Sequence, residues 1–256
     1  MVVRATNGEE ALLRFHRILG KQIDSPCAFR FVPQMRLLIA LVCLAVPALA
    51  ALPPEFMTAL GKFRADPPPG WSFTQMTEGE GHSTVEHSDA ARPDFARWAL
   101  RQKDGRAPTE EELRNYADAR SRRSRTGTAP SLTDQLDLDS AEIVADGAER
   151  VTCRFRLRPG EASDRTSHFL RALLVIHKNT RTIESVELAS TGEFSPTFGV
   201  RIAEMNTKMT YSLPDASTPS LPQRVETRMR GKAFWFKSLD ARLTVIFSEY
   251  TRREKP

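Results

Sequence analysis

Cysteine is scarce in this 256-residue chain, which contains only Cys27, Cys43 and Cys153. The first two fall in residues 1–50, which comprise an upstream extension (1–34) and a predicted signal peptide (35–50) that the mature chain lacks. Cys153 then remains alone, so no intramolecular disulfide can form. The remaining 206 residues (256 minus 50) are enough for one sizeable core, and the fold must be stable from that core alone.

The signatures of common enzyme classes are also missing. The sequence has no G-x-S-x-G elbow and no glycine-rich phosphate loop. Residues 163–168 hold hydrolase residue types, but a catalytic triad is a spatial arrangement that adjacency in sequence does not predict. We therefore predict no catalytic residue and no cofactor. A hydrolase with scattered residues, such as His168 or His87 beside serine and aspartate, is kept as an alternative.

The best candidate for metal ligation is the string from His82 to His87, which includes Glu86. Zinc motifs on helices have the form H-E-x-x-H or H-x-x-E-H, and this string is one residue longer than the second form. On a strand, His82 and Glu86 share a face while His87 points the other way. We therefore predict no metal site.

A large excess of charge of one sign is lacking as well. The chain has 37 basic and 32 acidic residues, a net charge of +5. Residues 1–50 contain 6 basic and 3 acidic residues, which leaves 31 minus 29, or +2, for the rest. Nucleic-acid-binding domains usually cluster a large positive excess, so we predict no nucleic-acid partner.

The most distinctive segment present is residues 35–51, which has the pattern of a secretory signal peptide. Arg36 supplies the positive start, an apolar run covers residues 37–46, and Pro47 ends that run. The small residues before Ala51 form a cleavage site, so the mature chain should begin after Ala50. This pattern predicts a periplasmic or secreted protein.

A retained membrane anchor and a lipid attachment site are the two alternatives to a cleaved signal peptide. A retained membrane anchor needs about 20 apolar residues, and this run is shorter and contains a proline. A lipid attachment site at Cys43 would require a small residue before it, where Val42 stands. Residues 1–34 show little periodicity, and we interpret them as an upstream extension, with translation starting at Met35.

Two helices are predicted in the remaining chain. Phe56, Met57, Leu60 and Phe63 form one apolar stripe, and the prolines at 67–69 end that element. Thr109 followed by Glu112 has the form of a capping box, so a second helix should run to about Arg123. Its buried side is expected to carry the following three residues: Leu113, Tyr116 and Ala117.

Most of the remaining sequence predicts strands. Apolar residues alternate with polar ones in residues 150–157, 200–213 and 243–250, and Asp-Gly and similar turns separate these segments. No βαβ pattern occurs, which argues against a doubly wound nucleotide-binding fold. We predict a mainly β (α+β) domain over residues 51–256, with a curved antiparallel sheet or incomplete barrel of about ten strands covered by one or two helices.

The segments WALRQKDGRAPTEEEL, FSPTFG and LTVIFSEY resemble a group of exported bacterial proteins with the predicted fold of the LolA/LolB-type periplasmic lipoprotein carriers. The resemblance covers most of residues 71–250. It implies an incomplete barrel whose concave face holds an acyl chain or an apolar segment of a partner. The arginine-rich stretch at 114–125 departs from those carriers.

Two candidate sites follow from the predicted strands and helix. The first is an apolar ligand cavity in the part of the half-barrel that core packing leaves unfilled. Its predicted lining residues are Trp98, Phe155, Leu173, Val175, Met205, Met209, Phe234, Phe236 and Phe247. The second is the end of the arginine-rich helix, where Arg120, Arg122 and Arg123 either form a solvated helix terminus or contact anionic headgroups.

The predicted function is therefore that of an exported, non-enzymatic protein that binds a lipid or another apolar ligand in the half-barrel cavity. Its predicted partners are a lipid, a lipoprotein or a membrane surface. A structural or interaction module of the periplasm is the second candidate, and the hydrolase with scattered residues is the third.

Overall fold

The computed structural model describes residues 52–123, 131–160, 164, 166–234 and 236–253, with residues 54, 55, 122 and 123 described by their backbone alone. The predicted leader and its cleavage site between Ala50 and Ala51 lie outside the described residues. Three α-helices occur in the described part: α1 (Pro54–Lys62), α2 (Glu110–Arg123) and α3 (Leu132–Gln135). The strands are β1 (Trp71–Gly79), β2 (His82–Ser88), β3 (Trp98–Lys103), β4 (Leu136–Asp146), β5 (Arg150–Leu157), β6 (Leu170–His177), β7 (Thr182–Ser190), β8 (Phe194–Thr197), β9 (Val200–Tyr211), β10 (Pro222–Ala233), β11 (Lys237–Ser238) and β12 (Ala241–Arg252).

All the described strands belong to one curved sheet, in which every pairing is antiparallel. The order across the sheet is β3-β2-β1-β12-β10-β9-β7-β6-β5-β4, while β8 pairs with β9 and β11 pairs with β10. The two ends of this order, β3 and β4, do not pair, so the described sheet is an open structure. The predicted fold class is confirmed, with 12 strands in place of about ten because two short strands, β8 and β11, extend the turns.

The strand register divides the sheet into two faces of different chemistry. One row of directly paired residues runs Cys153, Leu174, Val186, Met209, Val225, Val245. We call this side the inner face. The adjacent row on the opposite side, the outer face, runs Arg154, Leu173, Glu187, Lys208, Glu226, Thr244. This contrast is the period-two pattern of a sheet with one buried face and one solvated face.

Helix α1 packs on the inner face and forms the main core with β4–β7 and β9. Its residues Phe56, Ala59 and Leu60 are buried among side chains of those strands. Of the predicted stripe, Phe56 and Leu60 are confirmed as buried, whereas Met57 is exposed. Phe63 follows the helix and meets the ring of Tyr211 edge to face, with ring centroids 5.1 Å apart. Each fully buried phenylalanine or leucine of this kind contributes roughly 1.5–3 kcal/mol to the free energy of unfolding.

Helix α2 begins at the predicted capping box. The backbone N–H of Thr109 donates to Glu112 Oε2 (2.8 Å), and the N–H of Glu112 donates to Thr109 Oγ1 (3.3 Å). Arg106, Thr109 and Lys103 together hold the pKa of Glu112 well below its ordinary value, with the Arg106 hydrogen bond the largest cause. The predicted buried side was wrong, because Leu113 and Ala117 are exposed and only Tyr116 of the three is half-buried.

Cys153 is enclosed in the core under α1, and burial raises the pKa of its thiol to about 11. At pH 8 this leaves about one thiolate in a thousand, and the thiolate is the reactive form. In a C27S/C43S background we expect a maleimide reagent to label Cys153 about 100-fold more slowly in the native protein than in denaturant. Equal rates in the two conditions would contradict the buried placement of β5.

Candidate functional site

A buried carboxylate, Glu86 of β2, lies on the inner face near one edge of the sheet. Its side is fixed by the register, which pairs it with Gln75 and pairs Gln75 with Phe247. Glu86 is only 2% exposed. Its carboxylate accepts hydrogen bonds from Gln75 Nε2 (3.4 Å) and from the guanidinium of Arg120 in α2 (3.3 Å). A buried charge is costly unless it is paired and hydrogen-bonded, so these contacts hold Glu86 in its position.

Arg120 connects α2 to the sheet through Glu86 of β2 and Trp98 of β3, and it also contacts Tyr116 of its own helix. Besides its ion pair with Glu86, its guanidinium carbon lies 4.0 Å from the ring centroid of Trp98. Its Nε donates to the hydroxyl of Tyr116 (3.1 Å). Burial raises the pKa of Tyr116, and the neighbouring Glu86 carboxylate raises it further. The contact between helix and sheet therefore depends on polar and cation–π interactions more than on apolar packing.

An aromatic cluster adjoins this ion pair. The ring centroid of Phe73 lies 5.4 Å from that of Trp98, 5.9 Å from that of Phe247 and 5.8 Å from that of Tyr250. Of the predicted cavity residues, Trp98 and Phe247 are therefore brought together here. We call Glu86, Arg120, Phe73, Trp98 and Phe247 the Glu86 site.

Three other predicted cavity residues lie elsewhere on the same face. Phe155 belongs to the main core under α1, and Met205 to a smaller core with Leu170 and Phe194. Met209 packs at the border of the main core and is half-buried. The inner face thus has a filled part under α1 and a second part around the Glu86 site.

The placement of Leu173 and Val175 contradicts their predicted grouping with Phe155. The register pairs Phe155 with Ala172, whereas Leu173 pairs with Arg154 and Val175 with Thr152. Leu173 and Val175 therefore lie on the outer face. The physical reason is that β6 is apolar in both alternating sets, and its inner set is Leu170, Ala172, Leu174 and Ile176.

Phe234 and Phe236 also lie away from the inner face, contrary to the prediction. They are 55% and 86% exposed, and they occupy the turn between β10 and β11. Phe234 has a positive φ of 48°, which takes the chain out of the strand alternation on which the prediction relied.

The structure describes the three arginines predicted to contact anionic surfaces to different extents. Arg120 is engaged within the molecule by Glu86 and Trp98, so it is not a solvated end of the helix. The structure places the backbones of Arg122 and Arg123 in the last turn of α2, and their side chains lie outside the described residues.

The histidine string does not form a metal centre in the described part of the chain. His82 contacts Asp104 on the surface, and His87 hydrogen-bonds Thr74 (3.1 Å) on the outer face, away from Glu86. Among the described residues no group of three or more histidine, cysteine, aspartate or glutamate side chains is arranged to hold a metal ion.

A groove of about 400 Å³ brings a serine, a histidine and an aspartate to one end of the sheet. Its lining includes Asp137, Ser167 and His168. Asp137 pairs with Arg156 (3.1 Å), and the ring of His168 lies against Phe169. Within the described residues no hydrogen bond joins His168 to Ser167 or to Asp137, so the nucleophile–base contact that a triad needs is not formed.

Sequence reasoning missed Phe73 as part of the Glu86 site, and Gln75 and Tyr116 as the hydrogen-bond partners of Glu86 and Arg120. Alternation in β1 was a usable signal, since Trp71, Phe73 and Gln75 share one face. No local signal exists for the pairing of Glu86 with Arg120, which are 34 residues apart in the chain.

The longest described helix, α2, has 14 residues, and no helix in the described part of the chain is long and apolar enough to cross a membrane. No protein-family model, curated protein or solved structure matches this chain.

Proposed function

We propose that this protein is exported to the periplasm or beyond and binds a lipid or another apolar ligand without catalysing a reaction. The proposed binding surface is the inner face between the core under α1 and the Glu86 site. One observation carries the proposal: the open, curved sheet has an inner face lined by apolar residues, and α1 fills only the part formed by β4–β7 and β9.

The residues at the centre of this surface support the proposal. Thr207, Val225 and Thr227 are half-buried inner-face residues that belong to neither described core. Met209 beside them has a flexible side chain that adapts to ligands of different shape. Val225 and Met209 supply apolar contacts and Thr207 and Thr227 supply hydroxyls, and small-molecule sites commonly combine the two kinds of group.

The way in which α2 is attached gives a route for a ligand to enter. Most of its side chains from 110 to 121 are exposed, and its described contacts with the sheet are made by Glu112, Tyr116 and Arg120. Displacing the helix therefore breaks two ion pairs, Glu86–Arg120 and Lys103–Glu112, and a cation–π contact while exposing little apolar surface. We propose that an acyl chain enters where α2 covers the aromatic cluster.

Native mass spectrometry of the protein purified from its natural host tests this function. We expect an adduct with the mass of an acyl lipid, which disappears after extraction with organic solvent. Protein that is free of ligand and also fails to bind a fluorescent fatty acid would contradict the binding function.

The denatured chain should begin at Ala51, as the leader predicts. A peptide from residues 1–34 in the mature protein would contradict the assigned start.

A further inference from the structure

Two neighbouring turns at one end of the sheet expose three phenylalanines. Phe198 lies in the turn between β8 and β9 and is 91% exposed, while Phe234 and Phe236 lie in the turn after β10. We call Phe198, Phe234 and Phe236 the aromatic tip. Exposed phenylalanine side chains are unfavourable in water. A cluster of them therefore indicates a surface that binds an apolar partner or a membrane.

The backbone holds the two turns together. The N–H of Phe234 donates to the carbonyl of Gly199 (2.7 Å), and Val200 pairs with Ala233 in the adjoining strands. Gly199 has a positive φ of 75°, which favours glycine, and the ring of Phe234 packs where a Cβ would lie, 2.8 Å from Cε1. The positive φ of 48° at Phe234 is uncommon for a bulky residue and is maintained by these contacts. The relative position of the two turns is therefore fixed by backbone contacts.

The two turns of the tip contain basic residues and no acidic residue. Segments 196–201 and 232–238 contain Arg201, Lys232 and Lys237 and no acidic residue, a net charge of +3. Arg201 pairs with Glu193. Lys232 and Lys237 are exposed, and neither takes part in an ion pair within the described residues.

We propose that the aromatic tip docks on an anionic lipid bilayer, with the phenylalanine rings in the interfacial region and Lys232 and Lys237 against acidic headgroups. Burial of apolar side chains and attraction of lysine to an anionic leaflet are the two general contributions to peripheral membrane binding. This inference is independent of the proposed ligand site, because the tip lies at an end of the strands and contributes nothing to the Glu86 site.

Sedimentation with vesicles of phosphatidylglycerol at low salt tests the proposal. We expect the wild type to bind. The F198S/F236S variant should have an affinity at least about tenfold lower. A K232E/K237E variant should lose at least about tenfold in affinity, and neutral phosphatidylcholine vesicles should bind the wild type weakly.

Two matched controls are available at the opposite end of the strands. F95S removes a phenylalanine that is 90% exposed in the turn between β2 and β3. R252E/R253E makes the same change in net charge at exposed residues at the end of β12. Both controls should bind phosphatidylglycerol like the wild type, and thermal unfolding checks that every variant is folded.

The same experiments distinguish membrane docking from other uses of the tip. Absence of vesicle binding, equal binding by the tip and control variants, or equal binding to neutral vesicles would overturn the proposal. Sedimentation velocity that shows a dimer in the wild type and a monomer in F198S/F236S would assign the tip to a second copy and overturn it too. Loss of fatty-acid binding with unchanged vesicle binding would separate failure of the proposed ligand site from failure of the tip.

Discussion

Replacing Phe155 with alanine is expected to destabilise the protein by about 3–5 kcal/mol, because the ring is only 1% exposed and packs under α1 on the inner face. The cost combines the lost transfer free energy of the ring with the cavity that it leaves. Unfolding in guanidinium chloride, followed by circular dichroism, measures the change in the free energy of unfolding.

The matched control is Leu173→Ala in the adjacent strand. Leu173 pairs with Arg154 on the outer face and is half-buried, so we expect a cost of about 1 kcal/mol or less. If the leucine variant proved as costly as the phenylalanine variant, the assignment of the two faces would be wrong.

The second large effect is expected from Arg120→Ala, which removes the guanidinium from the Glu86 carboxylate and from the ring of Trp98. Breaking a fully buried ion pair costs about 3–5 kcal/mol. The Arg120 side chain is 25% exposed while that of Glu86 is 3% exposed. We therefore expect a loss of about 2–3 kcal/mol in the free energy of unfolding, below the range for a fully buried pair.

A double-mutant cycle isolates the charge interaction. Arg120→Ala combined with Glu86→Gln should recover about 1 kcal/mol or more relative to Arg120→Ala, since a neutral amide is cheaper to bury than an unpaired charge. The control is Arg154→Ala, whose partner Glu142 lies on the solvated face, and it should cost less than about 1 kcal/mol. Additive effects of the two changes at Glu86 and Arg120 would contradict the pairing of α2 with the sheet.

The features that local sequence determines were predictable. Thr109 and Glu112 are three residues apart, so the geometry of one helical turn makes their capping contacts. In β5, Val151, Cys153 and Phe155 alternate with polar residues, which specifies their common buried face. These signals were enough for the strand-rich architecture and for both predicted helices.

The sequence-based predictions that were wrong or missing concern features that depend on strand register and on contacts between residues distant in the chain. Residues 170–176 of β6 are apolar in both alternating sets apart from Arg171, so only pairing with β5 decides that Leu174 faces inward and Leu173 outward. The spacing of Phe234 and Phe236 suggests a strand face, but the backbone turns at Phe234 and exposes both rings. The contact of Arg120 with Glu86 exists only because α2 folds back over β2.

The claim that the inner face binds an apolar ligand is tested most directly by titration with a fluorescent fatty acid. Thr227 is a half-buried inner-face residue whose hydroxyl lies 3.1 Å from that of Thr207, whereas Thr244 in the neighbouring strand is a half-buried outer-face residue paired with Glu226. The wild type should bind, Thr227→Trp should weaken binding by about tenfold or more because the indole fills the central surface, and Thr244→Trp should leave the affinity within about twofold. Absence of binding by the folded wild type, or equal weakening by the two tryptophan variants, would contradict the account.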